Sequence, residues 1–216
     1  MRRTFLPCAA LLLLTACHPE NAMNQEITTA EQDVENGGRG LAKLNPSPRQ
    51  AFELVLSLAD APGAFAVVEG VAQYDVTNEQ ECGRIVPATG MAARITSQEP
   101  VQLKKVSDTE YRGTVYLDRM LDEDYYGRGV CKWTFSGAGA MLKATGADGE
   151  TRFTSFIEAD KFIAGKALTR HYPDRDYPRV ESVPDFGQAG HEDPSRFRPE
   201  LQDALFTATL TAHEVR

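Results

Sequence analysis

The segment Asp122-Glu123-Asp124-Tyr125-Tyr126-Gly127 sets three carboxylates and two phenols side by side. Carboxylates at alternate positions ahead of a glycine can wrap a hard cation such as calcium. Tyr126 stands where an EF-hand loop carries an oxygen ligand, and Trp133 stands where its bidentate glutamate belongs, which favours a solvated hairpin loop over a calcium site. Adjacent tyrosines beside acids also suit protein recognition, because tyrosine gives contact area at little entropic cost and carboxylates meet Lys or Arg. Asp122, Glu123, Asp124, Tyr125 and Tyr126 are therefore the candidate partner contacts, with simple packing of Tyr125 or Tyr126 over a sheet edge as the alternative. His191-Glu192-Asp193-Pro194 begins like a zinc motif but lacks the second histidine one helical turn on, and Pro194 opposes a helix. His171 sits in a proline-rich loop and receives no role. The chain has no Gly-x-Ser-x-Gly, His-Glu-x-x-His or Cys-x-x-Cys. It reads as a binding protein and not an enzyme, with no catalytic residue, metal ligand or cofactor assigned; a hydrolase built on dispersed acids, which leaves no linear signature, stays open as a third reading.

The elements that must position this loop read as strands. Phe52, Leu54, Leu56 and Leu58 recur at every second residue, which puts them on one strand face; a short helix starting after Pro48 is the competitor, ended by Pro62-Gly63. Residues 65–76 are rich in valine and aromatics, with Gly70 marking a bulge or bend. Further strands are expected at 101–106, 111–118, 130–136, 140–144 and 151–158, with a last one at 206–215. Turns such as Ser107-Asp108 and Gly146-Ala147-Asp148-Gly149 separate them at short intervals. The pattern predicts an all-β fold, an antiparallel β-sandwich immunoglobulin-like in architecture, with one disulfide, an N-terminal disordered tether and an irregular C-terminal extension. Five prolines among charges make 172–199 an irregular segment lying over a single domain of 49–216. Trp133, two residues past Cys131 and so on the same strand face, is expected to pack in the core against a disulfide.

The N-terminus runs Met1-Arg2-Arg3, then an apolar stretch over 5–14, then Leu14-Thr15-Ala16-Cys17, the order of an export signal. The apolar stretch is about half of the roughly twenty residues that a membrane span requires. The last four residues resemble the lipobox of bacterial lipoproteins, whose cysteine is acylated before the leader is removed; an ordinary secretory signal with a chance cysteine is the alternative. The resemblance implies a leader of residues 1–16 and lipidation (palmitate among the acyl groups) at Cys17. His18, where such lipoproteins carry Asp for inner-membrane retention, points to the outer membrane with the domain facing the periplasm. Two or three acyl chains make such an anchor durable, where one alone is marginal. Residues 17–48, polar and glycine-containing, read as a lipidated flexible tether. With Cys8 in the leader and Cys17 lipidated, Cys82 and Cys131 remain as an even pair in an oxidising compartment, which suggests a disulfide; two buried free thiols are the alternative.

The chain carries 23 Lys and Arg against 31 Asp and Glu; losing Arg2 and Arg3 with the leader takes the net charge from -8 to about -10. Such a surface repels nucleic acid and anionic headgroups, so a neutral or basic protein is the expected partner.

Tyr111-Arg112-Gly113-Thr114-Val115-Tyr116-Leu117-Asp118 and the run from Leu121 through Cys131 to Trp133 resemble a group of bacterial envelope lipoproteins that includes immunity proteins paired with toxins delivered by type IV secretion systems. Stretches 59–65, 73–82, 143–153 and 184–188 add to the likeness, which covers most of 49–190. It implies an exported β domain with a Cys82–Cys131 bridge and an immunity protein that neutralises an incoming antibacterial toxin by occlusion. A structural or assembly lipoprotein that binds another envelope component through a sandwich face is the alternative.

Overall fold

Alternation of apolar side chains builds the strands. In β1 (Ala51–Ala59) Phe52, Leu54, Leu56 and Leu58 are all buried, and in β12 (Leu205–Glu214) Phe206, Ala208, Leu210 and Ala212 are. Burying one leucine side chain fully stabilises the fold by about 2 kcal/mol. β1 lies between β12 and β7 (Glu110–Tyr116), with Leu56 opposite Leu210 on one side and Tyr111 on the other. β10 (Leu168–Pro173) and β6 (Lys104–Lys105) complete a sheet of order β10-β12-β1-β7-β6. The second sheet has the order β11 (Gly187–Gln188), β9 (Arg152–Glu158), β8 (Trp133–Lys143), β2 (Val67–Val76), β5 (Thr96–Val101). All pairings are antiparallel except β11 with β9. The molecule, described here from a computed structural model that covers residues 40–215, is thus an all-β sandwich. The leader, Cys17 and the tether up to residue 39 lie outside the described residues.

Both sheets contribute to one core. Phe153 of β9, Tyr172 of β10 and Phe206 of β12 stack across the layers with ring centroids 5.1–5.5 Å apart. One end is closed by the short helix α2 (Ala159–Ile163), whose Phe162 is fully buried against Phe52 and Phe135 at 5.5 and 4.9 Å.

Two expected strands, 130–136 and 140–144, are one. β8 runs unbroken from Trp133 to Lys143, and its register against β2 shifts between Gln73 and Tyr74. The extra residue inverts parity, so Phe135 points inward below the bulge and Ala138, Ala140 and Leu142 above it. Gly137, at φ +154°, occupies backbone space that side chains exclude. The strand expected at 101–106 instead covers Thr96–Val101 and resumes only as β6. The amide of Val76 donates to Ile95 O at 2.9 Å, so by alternation Thr96, Gln98 and Pro100 turn their amide positions away from β2. Pro100 thereby sits in an edge strand without removing a ladder bond. β10 was not anticipated. Arg170 occupies the inward parity between the buried Leu168 and Tyr172 and hides the alternation.

The proline-rich segment is irregular and closes one flank of the sandwich. Phe186 O accepts from Arg152 N at 2.8 Å, β11 continues along β9, and His191 then exchanges backbone bonds with His171 of β10 at 2.8 and 3.2 Å. One strap therefore covers an edge in each sheet, where open strands invite wrong pairing. Gly190 makes the crossing feasible: at φ +62°, a side chain there would lie 2.6 Å from His171 O and 2.7 Å from the Tyr172 ring.

The folded unit also begins earlier than the boundary at 48/49. Ala42 is buried, Leu44 bridges Met120, and Asn45 N donates to Arg119 O at 2.7 Å. Asp118 holds the backbone amides of Arg49 and Gln50 at 2.9–3.1 Å. The end of the stretch read as tether is docked through these bonds, which its polar composition conceals.

Candidate functional site

Two long connections meet at one pole, beyond the C-terminal end of β2 and the N-terminal end of β8. The first leaves β2, turns through α1 (Glu79–Cys82) and the hairpin of β3 (Ile85–Val86) and β4 (Met91–Ala92), and enters β5. The second joins β7 to β8 and contains the acidic loop. Cys82 and Cys131, both fully buried, form the disulfide that ties them across a sequence separation of 49, with Cα atoms 5.2 Å apart. Around it Val76 and Ile95 form a small second core, against which Tyr125, Tyr126 and Trp133 pack.

Polar bonds lace the same two connections together. Asn78 donates from its amide to Val130 O at 3.0 Å and accepts from Lys132 N at 2.8 Å, while Thr77 N donates to Lys132 O at 2.9 Å. The Arg128 guanidinium donates to Gly83 O and to Gln80 O, the latter at 3.1 Å, satisfying carbonyls at the C-terminal end of α1. Met91 and Val130 stay exposed on this pole.

The five loop residues expected to contact a partner are brought to this pole, but most of their chemistry is turned inward. Asp122 accepts from Trp133 N at 2.9 Å and pairs with Lys132 at 3.1 Å. Glu123 pairs with Lys43 of the docked N-terminal stretch at 2.8 Å. Asp124 accepts from the amides of Tyr126 and Arg128 at 3.3 and 3.0 Å. Some loss of hydration in the loop pushes its carboxyl upward, but backbone donors led by Arg128 outweigh it and hold it below the usual carboxylate range. The three carboxylates thus serve separate internal donors and do not converge. Among the described residues no group of three or more His, Cys, Asp or Glu side chains could hold a metal ion.

Tyr125 donates its hydroxyl to Leu121 O and accepts from Lys43 N at 3.4 Å, and burial pushes its pKa up, holding the phenol protonated. It is a packing residue that locks the loop to the N-terminal stretch. Tyr126 is half-buried beside the disulfide, and Asp122 and Asp124 are exposed. Trp133 opens β8 and packs against both cores; its indole N–H is buried near the Tyr125 hydroxyl without closing a well-formed hydrogen bond. Arg128, Asn78 and Lys43, which complete the pole, lack a sequence signature because their partners lie 45 to 80 positions away.

Elsewhere the strongest polar constellation is Asp75 on the outer face of β2, which accepts from Gln73 at 3.0 Å, from Ser136, and from Arg94 at 2.9 Å. Burial pushes this carboxyl up, but bonds from Ser136, Gln73, Thr96 and Arg94 overcome it and lower it to about 2. His171 Nδ1 lies 3.2 Å from His191 O, within the strap. This contact ties the strap to β10 beside the backbone exchange of the same two residues.

Comparison with family models, with curated proteins and with solved structures finds no match to this chain. The pole is a cross-linked pair of loops carried on a sandwich scaffold.

Proposed function

We propose that the protein is a lipoprotein of the outer membrane, anchored through acylated Cys17 and facing the periplasm, that binds a secreted antibacterial toxin and neutralises it by occlusion. The observation that carries this reading is the pole at which the disulfide, Asn78 and Arg128 fix two long loops to each other and to the sandwich. A surface fixed before encounter loses little conformational entropy on binding, which favours tight, non-catalytic blockade. Its exposed members, Asp122, Asp124, Met91, Val130 and the open side of Tyr126, combine apolar contact with anionic oxygens that suit a basic partner. A disulfide between Cys82 and Cys131 accords with an exported domain, and the resemblance of 111–118 and 121–133 to envelope lipoproteins is what suggests immunity.

Photo-crosslinking tests this directly. A crosslinking amino acid at position 126, in cells co-cultured with secretion-competent siblings, is expected to trap one exported protein, and the same group at Val106 at the far side of the first sheet is not. Equal trapping at both positions, or none at 126, overturns the assignment of the pole.

A further inference from the structure

The outward side of the second sheet carries a charge pattern that a second copy of the chain complements. On β9 the outward residues are Arg152, Thr154, Phe156 and Glu158; on β8 they are Gly137, Gly139, Met141 and Lys143. Gly139 lies opposite Phe156 in the register, and an added Cβ at Gly137 or Gly139 would stand 2.6 or 3.0 Å from the Phe156 ring. Phe156 therefore lies down over the two glycines and leaves no protruding side chain between β8 and β9. Along β2 Val71 is flanked by Glu69 and Gln73, so the apolar character is carried mainly by Phe156 and Met141, continued by Val71 and Pro100 across the sheet.

Apart from Glu69 of β2, which stands level with Met141, the charges of β8 and β9 sit at opposite ends of this apolar strip. Lys143 and Arg152 stand at one end, each next to the last registered pair Leu142–Phe153. Glu158, exposed and with no hydrogen bond or ion pair among the described residues, stands at the other, followed by exposed Asp160. Arg152 is exposed and makes only a 3.4 Å contact to Asp185 O.

We propose that this face is a self-association surface, on which two copies of the chain pack sheet to sheet about a two-fold axis running across the strands at the level of Ser155. Such an axis sets β9 antiparallel over β9. Thr154 of one copy then meets Phe156 of the other, Met141 meets the surface over Gly139, and Arg152 meets Glu158 twice, once at each end. An unrelated partner would have to match this bipolar pattern by its own sequence, whereas a second copy matches it by symmetry. Four strands about 4.8 Å apart, with outward residues about 6.7 Å apart, make a patch roughly 20 Å on a side. That is about 400 Å² a side, roughly half the usual share of a stable interface, so the dimer is expected to be weak and transient.

Sedimentation equilibrium of the full chain in density-matched detergent, across about 1 to 100 µM, measures it. A monomer–dimer equilibrium is expected. Arg152→Glu and Glu158→Arg each set like charges together twice and should weaken the dimer by about tenfold or more, while the double swap restores it. Both residues are exposed and neither enters the core, so each variant should keep the wild-type melting temperature, and that melt is the control for folding. Phe156→Asp should give monomer throughout. A wild-type chain that stays monomeric, single swaps without effect, or a double swap that fails to recover overturns the proposal. So does a different envelope protein occupying this face while the chain itself remains monomeric.

Discussion

Replacing Cys82 and Cys131 together by serine removes the cross-link between the two long loops. On the chain-entropy model, releasing a closed loop of this size, set by the separation of 49, destabilises the fold by about 4 kcal/mol. A domain of this length shifts its melting temperature by roughly 2–4 °C per kcal/mol, so the double variant should melt about 8–16 °C lower. The structure also says where the loss is felt. Val76, Ile95, Tyr125, Tyr126 and Trp133 pack around the bridge, whereas the main core between the sheets does not contain it. Scanning calorimetry of oxidised wild type and the double variant gives the magnitude, and hydrogen exchange gives the location. Faster exchange is expected at residues 77–95 and 120–132, with β1, β12 and β9 unchanged under native conditions. A melting temperature within about 2 °C of wild type, or loss of protection spread evenly over both sheets, would refute the view that the bridge rigidifies this pole.

Phe162→Ala empties the plug between Phe52 and Phe135 and should destabilise by about 3–5 kcal/mol in denaturant titration. Gly190→Ala drives a methyl into His171 O and the Tyr172 ring, and should destabilise by at least 1 kcal/mol while releasing strap amides at His171 and His191 to exchange. Asp75, held near 2 when folded against about 3.9 unfolded, contributes stability that is fully present above about pH 4 and is lost as pH falls towards 2. With its side chain 19% exposed, roughly 2 kcal/mol of acid sensitivity should disappear in Asp75→Asn, read as a flatter stability profile between pH 4 and 2.

How much of this was legible in the sequence depends on whether a single strand face announces itself. β1 and β12 alternate cleanly, and their apolar sets are the buried sets. β8 conceals its continuity because one bulge at Gly137 inverts the alternation in mid-strand, and β10 conceals itself because Arg170 occupies an inward position. Phe162 reads as an isolated aromatic, yet it plugs one end of the sandwich. At the pole the cysteine pairing was readable by subtraction. What the acidic loop does with its carboxylates was not, because Asp122 meets Lys132, Glu123 meets Lys43 and Asp124 meets backbone amides only once the chain has closed on itself. Composition alone gave Asp122, Glu123, Asp124, Tyr125 and Tyr126 as equals, while in the fold Tyr125 is a packing residue, the three carboxylates each brace the loop through separate donors, and Asp122, Asp124 and the open side of Tyr126 also reach the surface.

The central claim is that this pole protects the cell by engaging an incoming toxin, and a co-culture competition tests it most directly. Cells lacking the gene, mixed with secretion-competent siblings, should lose viability unless supplied with the wild-type chain, and supply of a folded variant carrying Asp122→Lys, Asp124→Lys and Tyr126→Ala should fail to rescue them. Undiminished survival of the deletion strain, beside siblings that kill a sensitive control, would contradict the account.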